Sequence, residues 1–489
     1  MSEILKSKSY KAFGWELIGK FSNQTIGFVI TIILARLLNP SDFGLLAMVN
    51  VVIGFSGVFI DLGLSRGLIQ KKNITEQHYG SVFFFNLFVG LLLTIVLFFS
   101  APYVASYYNE PKLINIARVM SFSFLFSSFG NTLRMKLRKE LDFKVINQSS
   151  IFASALSGAL GVCLAYIGWG VWSLIVQSLS SIILANIYLF FREKWRPKMF
   201  FSFSALKDLW HISFLPFVLD ITDCFYAQLD SLIIGKHFSS EKLGFYYRGK
   251  SLQTLVNSYL GNTVGTVTFP LLSKLNDNEI VFRSTVLKLF HMITFVSFFL
   301  LAILYMCAED IVVILFTDKW IQSVEYFKII CLGGFTFPVG LVLINVLLSK
   351  GESKKYFQLG IMKKIFQFSP FVLLIYYGIN EFLYGVVVAS IINFSLNVYY
   401  ASKSLNISIL KFWNPFTIYT VIAVSCVFLI TFISQFLNIT SHWLHAIFSA
   451  IIFTVLFSGF TKLLNMQGFY LIKKEINSIS NKWKCKRNI

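Results

Sequence analysis

The chain has 489 residues, of which 56% are apolar and only 13% charged. A soluble domain carries about 25% charged residues, so water-facing side chains cannot cover this surface and lipid must serve as much of the solvent. The net charge of +20 falls in short clusters between apolar runs, with no separate basic, aromatic-rich domain. That pattern argues against nucleic acid as a partner and for charge placed beside a membrane.

A helix needs about 20 mainly apolar residues to cross roughly 30 Å of hydrocarbon. In chain order such stretches fall near 14–36, 43–64, 80–105, 113–133, 147–168, 170–191, 210–235, 243–271, 286–308, 326–348, 357–378, 381–402, 415–436 and 443–464. Runs such as 82–100 are continuously apolar rather than alternating, which favours helices over barrel strands. The fold class expected is all-α: a polytopic membrane protein of about fourteen transmembrane helices. Glu16 and Lys20 interrupt the first apolar run and no small-residue cleavage site follows promptly, so a cleavable signal peptide is not expected.

Lys and Arg concentrate in alternate connections: Lys6, Lys8 and Lys11; Arg66, Lys71 and Lys72; Arg134 to Lys144; Arg192 to Lys207; Lys274 to Lys288; Lys350 to Lys355; Lys403 and Lys411; and the tail with Lys482, Lys484, Lys486 and Arg487. The positive-inside rule then puts both ends in the cytoplasm. The tail, with Trp483, reads either as an anchor to anionic lipid or as a solvated topology signal. No connection is long enough for a folded extramembrane domain; the longest is the basic stretch 192–209.

The six cysteines are isolated, without a C-x-x-C or a His/Cys cluster, so neither a metal site nor a disulfide framework is expected, and no cofactor is implied. His442 and His445 are close but lack a third partner in the sequence, and read as interface residues.

Two stretches correspond at an offset of 200 residues: Ala35 to Leu46 and Gly235 to Tyr246. Each ends one span, turns and opens the next. In each, a basic residue (Arg36, Lys236) precedes a glycine (Gly44, Gly244) by eight positions, and Ser41 or Ser240 is the expected N-cap. A six-span repeat has even parity, so the halves relate by an axis along the membrane normal, with substrate sites expected between them. The expected division is an N-terminal six-helix lobe (1–191), a basic linker (192–209), a pseudo-symmetric second six-helix lobe (210–405), two further helices (406–468) and a basic tail (469–489).

At this point the chain resembles a known family. The segment Leu34 to Gly44, with Asn39-Pro40-Ser41-Asp42-Phe43-Gly44, is similar to the first-hairpin signature of the bacterial polysaccharide flippases. Asp61-Leu62-Gly63-Leu64, Trp195-Arg196-Pro197, Gln228 to Gly235 and Phe269-Pro270-Leu271-Leu272-Ser273 add to the likeness, which covers roughly residues 10–405. These belong to a branch related to MATE-type multidrug exporters and lipid II flippases. The resemblance implies movement of undecaprenyl-pyrophosphate-linked oligosaccharide from the inner to the outer leaflet by rocking of two lobes about a central cavity. Membrane lipids, a polysaccharide polymerase and a chain-length regulator are the partners it implies.

An anionic pyrophosphate calls for cations within the spans. Lys20 is a candidate, though Glu16 sits at ion-pairing spacing. Arg248 and Lys250 open the eighth span, where Arg248 is expected to snorkel outward and Lys250 to sit deeper. Lys363 and Lys364 cannot both face one way on a helix, and Arg118 lies near the outer interface. Asp220, Asp223 and Asp230 share a stripe of the seventh span and are candidates for ion or proton coupling, against a structural pairing of Asp230 with a neighbouring cation. Asp61 reads as a helix-end residue. Tyr107, Tyr108 and Trp320 are expected in the interfacial aromatic belt rather than on sugars.

The alternatives are a multidrug or cation exporter of the MATE type and, from another class, a membrane polymerase or ligase. The candidate lysines weigh against the first. The second would carry catalytic groups on a substantial outer loop, which is not found, so no enzyme is expected.

Overall fold

The computed structural model describes residues 3–487 apart from 72, 199, 438 and 440; the side chains of 3–13, 212, 215, 216, 262, 263, 266 and 479–487 also fall outside what is described. The expectations for Lys6, Lys8, Lys11, Lys72, Trp483, Cys485 and the last basic residues therefore lie outside the described residues.

Among the described residues every regular element is a helix. The first eight helices are α1 (Glu3–Leu37), α2 (Pro40–Asp61), α3 (Leu64–Gln70), α4 (Glu76–Tyr108), α5 (Leu113–Lys139), α6 (Phe143–Tyr166), α7 (Val171–Arg192) and α8 (Phe203–His237). Then come α9 (Ser240–Lys274), α10 (Glu279–Met306), α11 (Ala308–Phe316), α12 (Gln322–Gly334), α13 (Thr336–Ser349), α14 (Ser353–Phe368) and α15 (Pro370–Tyr376). Last are α16 (Ile379–Leu405), α17 (Leu410–Leu437), α18 (His442–Leu463) and α19 (Gln467–Arg487).

Among the described residues, 12 helical segments are long and apolar enough to cross a membrane. They coincide with expected spans one to six and nine to fourteen. Expected spans seven and eight correspond to α8 and α9, each 35 residues long but outside that set. Residues 212, 215, 216, 262, 263 and 266 in these two helices have side chains outside what is described, so twelve is a count of the described residues alone.

Exposed apolar stripes explain why lipid is required. On α17, Val421, Val424, Phe428 and Phe432 are exposed at three- and four-residue spacing, while Tyr419, Ile422, Cys426 and Ile430 are buried on the opposite face. A soluble monomer rarely presents such a face to water.

Helix ends follow local chemistry. Pro40 suits the first helical position because its fixed φ and missing N–H cost nothing there. The cap of α2 is consequently Asn39 rather than the expected Ser41, and the Asp42 carboxylate accepts from the Asn39 N–H at 3.1 Å. Likewise Ser239, not Ser240, caps α9, its hydroxyl accepting from the Lys242 N–H at 3.2 Å. Between α2 and α3 the chain turns through Leu62 and Gly63, both with positive φ. The Asp61 carboxylate holds that break by accepting from the Ser65 N–H at 3.0 Å and its hydroxyl at 2.6 Å, the helix-end role expected of it.

Contacts divide the chain into two compact units, Met1–Tyr247 and Arg248–Ile489. The division falls inside α9 rather than at residue 210, because α8 packs against α2, α3 and α4. In the first unit α4 pairs with α5, α6 with α7, and α1 lies along α6. Gly19 faces Asn147 and Gly158 faces Ile30, so a side chain at either glycine would hold α1 and α6 apart.

The second unit packs α10 against α13, α17 and α19, and α16 against α12, α13 and α14. Its core is aromatic: Phe290, Phe298, Phe394, Phe412, Phe416, Tyr419, Phe453 and Phe457 are buried together. Lipid tails are as apolar as these rings, so shape-complementary contact rather than water exclusion is what holds them.

Candidate functional site

The connections of the first unit gather at two ends. At one end the basic connections meet. Lys71 pairs with Asp208 at 2.9 Å and Arg66 with Asp220 at 2.8 Å, joining α3 to α8. Lys139 donates to the carbonyls of Leu68 and Lys71 at 2.6 and 2.5 Å, and Lys136 lies over the Trp195 ring. Hydrogen bonding to the Lys71 ammonium holds the Asp208 carboxyl below the usual carboxylate range. Burial, reinforced by nearby Asp142 and Glu140, pushes Glu193 up.

At the other end the two repeated hairpins meet each other. A Cβ on Gly44 would collide with the backbone carbonyl of Ser240, and a Cβ on Gly244 with that of Pro40. The contact is reciprocal under the 200-residue offset: position 40 touches 244 and position 240 touches 44. Each carbonyl belongs to the first turn of its helix, and each glycine lies four residues further on. Only glycine permits this approach, because the obstructing atoms are backbone and cannot rotate away.

The α4–α5 turn braces the second hairpin. Lys236 donates to the Tyr107 carbonyl at 2.6 Å and lies 4.7 Å from the Tyr107 ring centre. The Ser240 hydroxyl donates to Glu110 at 2.9 Å. Tyr108 is buried against Gly235, contrary to its expected place in an interfacial belt, whereas Tyr107 is exposed.

Within the first unit the expected candidate residues are not brought into one cluster. Lys20 pairs with Glu16 at 3.2 Å and remains largely exposed. Asp220 is the Arg66 partner just described. Asp223 is exposed but Asp230 is buried, so the acidic stripe is divided in its surroundings. Asp230 accepts from the Tyr246 hydroxyl at 2.5 Å and from the Ser231 N–H at 2.6 Å. Arg118 is half-buried, 5.3 Å from the Phe98 ring centre.

In the second unit Arg248 does not snorkel. It is 2% exposed, its guanidinium 4.8 Å from the Phe316 ring centre and 4.9 Å from that of Trp320. Trp320 is itself fully buried, not an interfacial belt residue. Planar Arg stacks on aromatic faces and is more weakly hydrated than an ammonium, and these rings are separated from it by some seventy residues, beyond the reach of local spacing. Lys250, Lys363 and Lys364 are half-buried.

Sequence reasoning missed the partner of the histidine pair. His442 and His445 contact the two oxygens of buried Asp310 at 2.9 and 2.5 Å, tying the start of α18 to α11. The only local signal was their three-residue spacing, which puts both on one helix face.

A model of a family described as "Polysaccharide biosynthesis protein" matches residues 33–325. The teichuronic acid biosynthesis protein TuaB of Bacillus subtilis (strain 168) is 26% identical over 308 residues, 61% of this chain and 62% of TuaB. The lipopolysaccharide biosynthesis protein WzxC of Escherichia coli (strain K12) is 22% identical over 425 residues, 84% of this chain and 85% of WzxC. The fold is similar to that of the lipid II flippase MurJ in an inward closed conformation, with a TM-score of 0.72 at 13% identity, covering 91% of this chain and 98% of that one. At that identity the likeness is one of fold.

Proposed function

Because the chain belongs to the polysaccharide biosynthesis protein family, we propose that this multi-pass membrane protein flips undecaprenyl-pyrophosphate-linked oligosaccharide units from the inner to the outer leaflet of the bacterial cytoplasmic membrane. The observation that carries the reading is the family match across both repeated hairpins, in a chain whose relatives include polysaccharide biosynthesis proteins. The step makes and breaks no bond, so it asks the protein for a charged path and a sequence of openings rather than for acid–base chemistry.

In this reading the basic end of the first unit is cytoplasmic and the hairpin end is outer, with both chain termini inside. The division into two six-helix lobes, 1–191 and 210–405, with two added helices is part of the proposal. The reciprocal Gly44 and Gly244 contact then closes the outer side, and export requires Pro40 and Ser240 to withdraw from it. Lys250 and Lys363, half-buried within α9 and α14, are proposed to meet the pyrophosphate, with Arg248 supporting the Lys250 segment. Lys20 and Arg118, paired with Glu16 and stacked on Phe98, are proposed as secondary contacts. Asp230, with Asp220 and Asp223 on the same helix, is proposed to couple transport to an ion or proton.

The test is genetic and biochemical together. A strain lacking its own flippase accumulates lipid-linked repeat units in the inner leaflet; expression of this chain is expected to clear them and restore surface polysaccharide. Absence of rescue combined with raised drug resistance would assign the chain to export of small cations instead.

A further inference from the structure

One face of α9 in the second unit carries Gln253, Thr254, Asn257 and Ser258, two pairs spaced four residues apart and so on one side of the helix. They line a cavity of 440 Å³ together with Phe337 and Leu341 of α13. Gly261, four residues after Asn257, lets the Phe337 ring close on α9: a Cβ there would meet the ring at 2.9 Å. Among the described residues lining this cavity none is ionisable.

That composition is unlike the cation-lined path a pyrophosphate needs. Neutral amides and hydroxyls both donate and accept, and an aromatic face offers an apolar platform; together they suit a ligand with many hydroxyls and an apolar C–H face. The volume is within the range of small-molecule sites. A further observation is an orphaned acceptor in the cavity lining. The Asn257 Oδ1 is buried and lacks a hydrogen-bond partner among the described residues, although buried amide oxygens are ordinarily satisfied. Thr254 donates to the Lys250 carbonyl at 2.8 Å, which leaves its hydroxyl oxygen to accept from a ligand.

We propose that the Gln253–Thr254–Asn257–Ser258 face and the Phe337 ring form a subsite for an uncharged sugar ring of the cargo. The subsite rests on the flippase reading and deepens it. Lys250 precedes Thr254 by one turn of the same helix, so phosphate recognition and sugar recognition follow one another along α9. The neutral subsite selects for the saccharide, while the cations select for the carrier.

The experiment uses the full chain in nanodiscs and compares binding of farnesyl pyrophosphate with farnesyl-pyrophosphate-linked glucose, galactose and N-acetylglucosamine. Wild type is expected to bind at least one sugar-bearing probe about tenfold more tightly than the bare carrier, the yield of one or two added hydrogen bonds. Asn257→Leu combined with Gln253→Met is expected to erase that preference while leaving affinity for the bare carrier within about twofold. Retained carrier binding also reports that the variant is folded. If the variant fails to fold, Thr254→Val, which keeps the side-chain volume, is expected to reduce the preference several-fold. Preference unchanged in folded variants, or no sugar preference in wild type, overturns the subsite. Loss of carrier binding in wild type would instead overturn the flippase reading on which it rests.

Discussion

At the scale of single residues, the strongest constraints lie where backbone meets backbone. Gly44 and Gly244 sit against carbonyls of the opposite hairpin, so alanine at either must push the two helix starts apart. Gly44→Ala is expected to favour an open hairpin end. Met48 lies fully buried one turn below Gly44. In a background whose native cysteines are replaced by serine, Met48→Cys should react several-fold faster with an impermeant thiol reagent, applied from outside, when Gly44→Ala is added. Equal rates with and without the glycine substitution would contradict the role assigned to the contact. Arg248 is a second constrained residue. Arg248→Lys keeps the charge but loses the planar stack on Phe316 and Trp320, and should lower stability by about 1–2 kcal/mol in thermal unfolding. An unchanged Tm would show the stack to be idle. Both glycines were legible in the sequence through the 200-residue offset, but the partner of each was not. Arg248 was expected to snorkel outward, whereas it is buried on aromatic partners from α11 and the turn after it.

At the scale of elements, apolar run length found the helices well because lipid leaves the backbone no other way to satisfy its hydrogen bonds. It located α10 and α12 to α18 without reference to any contact, but not the short α11. Tertiary ties between elements were not legible at all. Asp310 and His445 are 135 positions apart, and only folding shows that α18 is fastened to α11. A double-mutant cycle between Asp310→Asn and His445→Gln should give a coupling of about 1–2 kcal/mol in unfolding measurements, because each single change breaks the contact between His445 and the buried Asp310 carboxylate, while His442 still reaches the other carboxylate oxygen. Additive effects would show that the pair contributes nothing to holding the C-terminal helices. In the aromatic core of the same unit, Phe457→Ala removes a fully buried ring and is expected to cost on the order of 3 kcal/mol. A loss of well under 1 kcal/mol would mean that neighbouring rings close the gap.

At the scale of the whole chain, composition and charge alternation carried the class of protein, and the repeated hairpins carried its relationship to a family. The sugar-facing part of the site was hidden. Gln253, Thr254, Asn257 and Ser258 are ordinary residues in a membrane helix, and their significance comes from lining one cavity with Phe337. A search for charged residues, which the pyrophosphate motivates, passes over them. The claim that organises the rest is that the chain moves a lipid-linked saccharide across a bilayer. It is tested most directly by reconstituting the purified chain in proteoliposomes that hold undecaprenyl-pyrophosphate-linked sugar, and measuring the fraction of that sugar which an impermeant enzyme can reach over time. Sugar flipping across the bilayer faster than in protein-free vesicles, and slowed by Gly44→Ala or Lys250→Met, is the predicted result. Exposure at the protein-free rate in vesicles containing folded, correctly inserted protein would contradict the account.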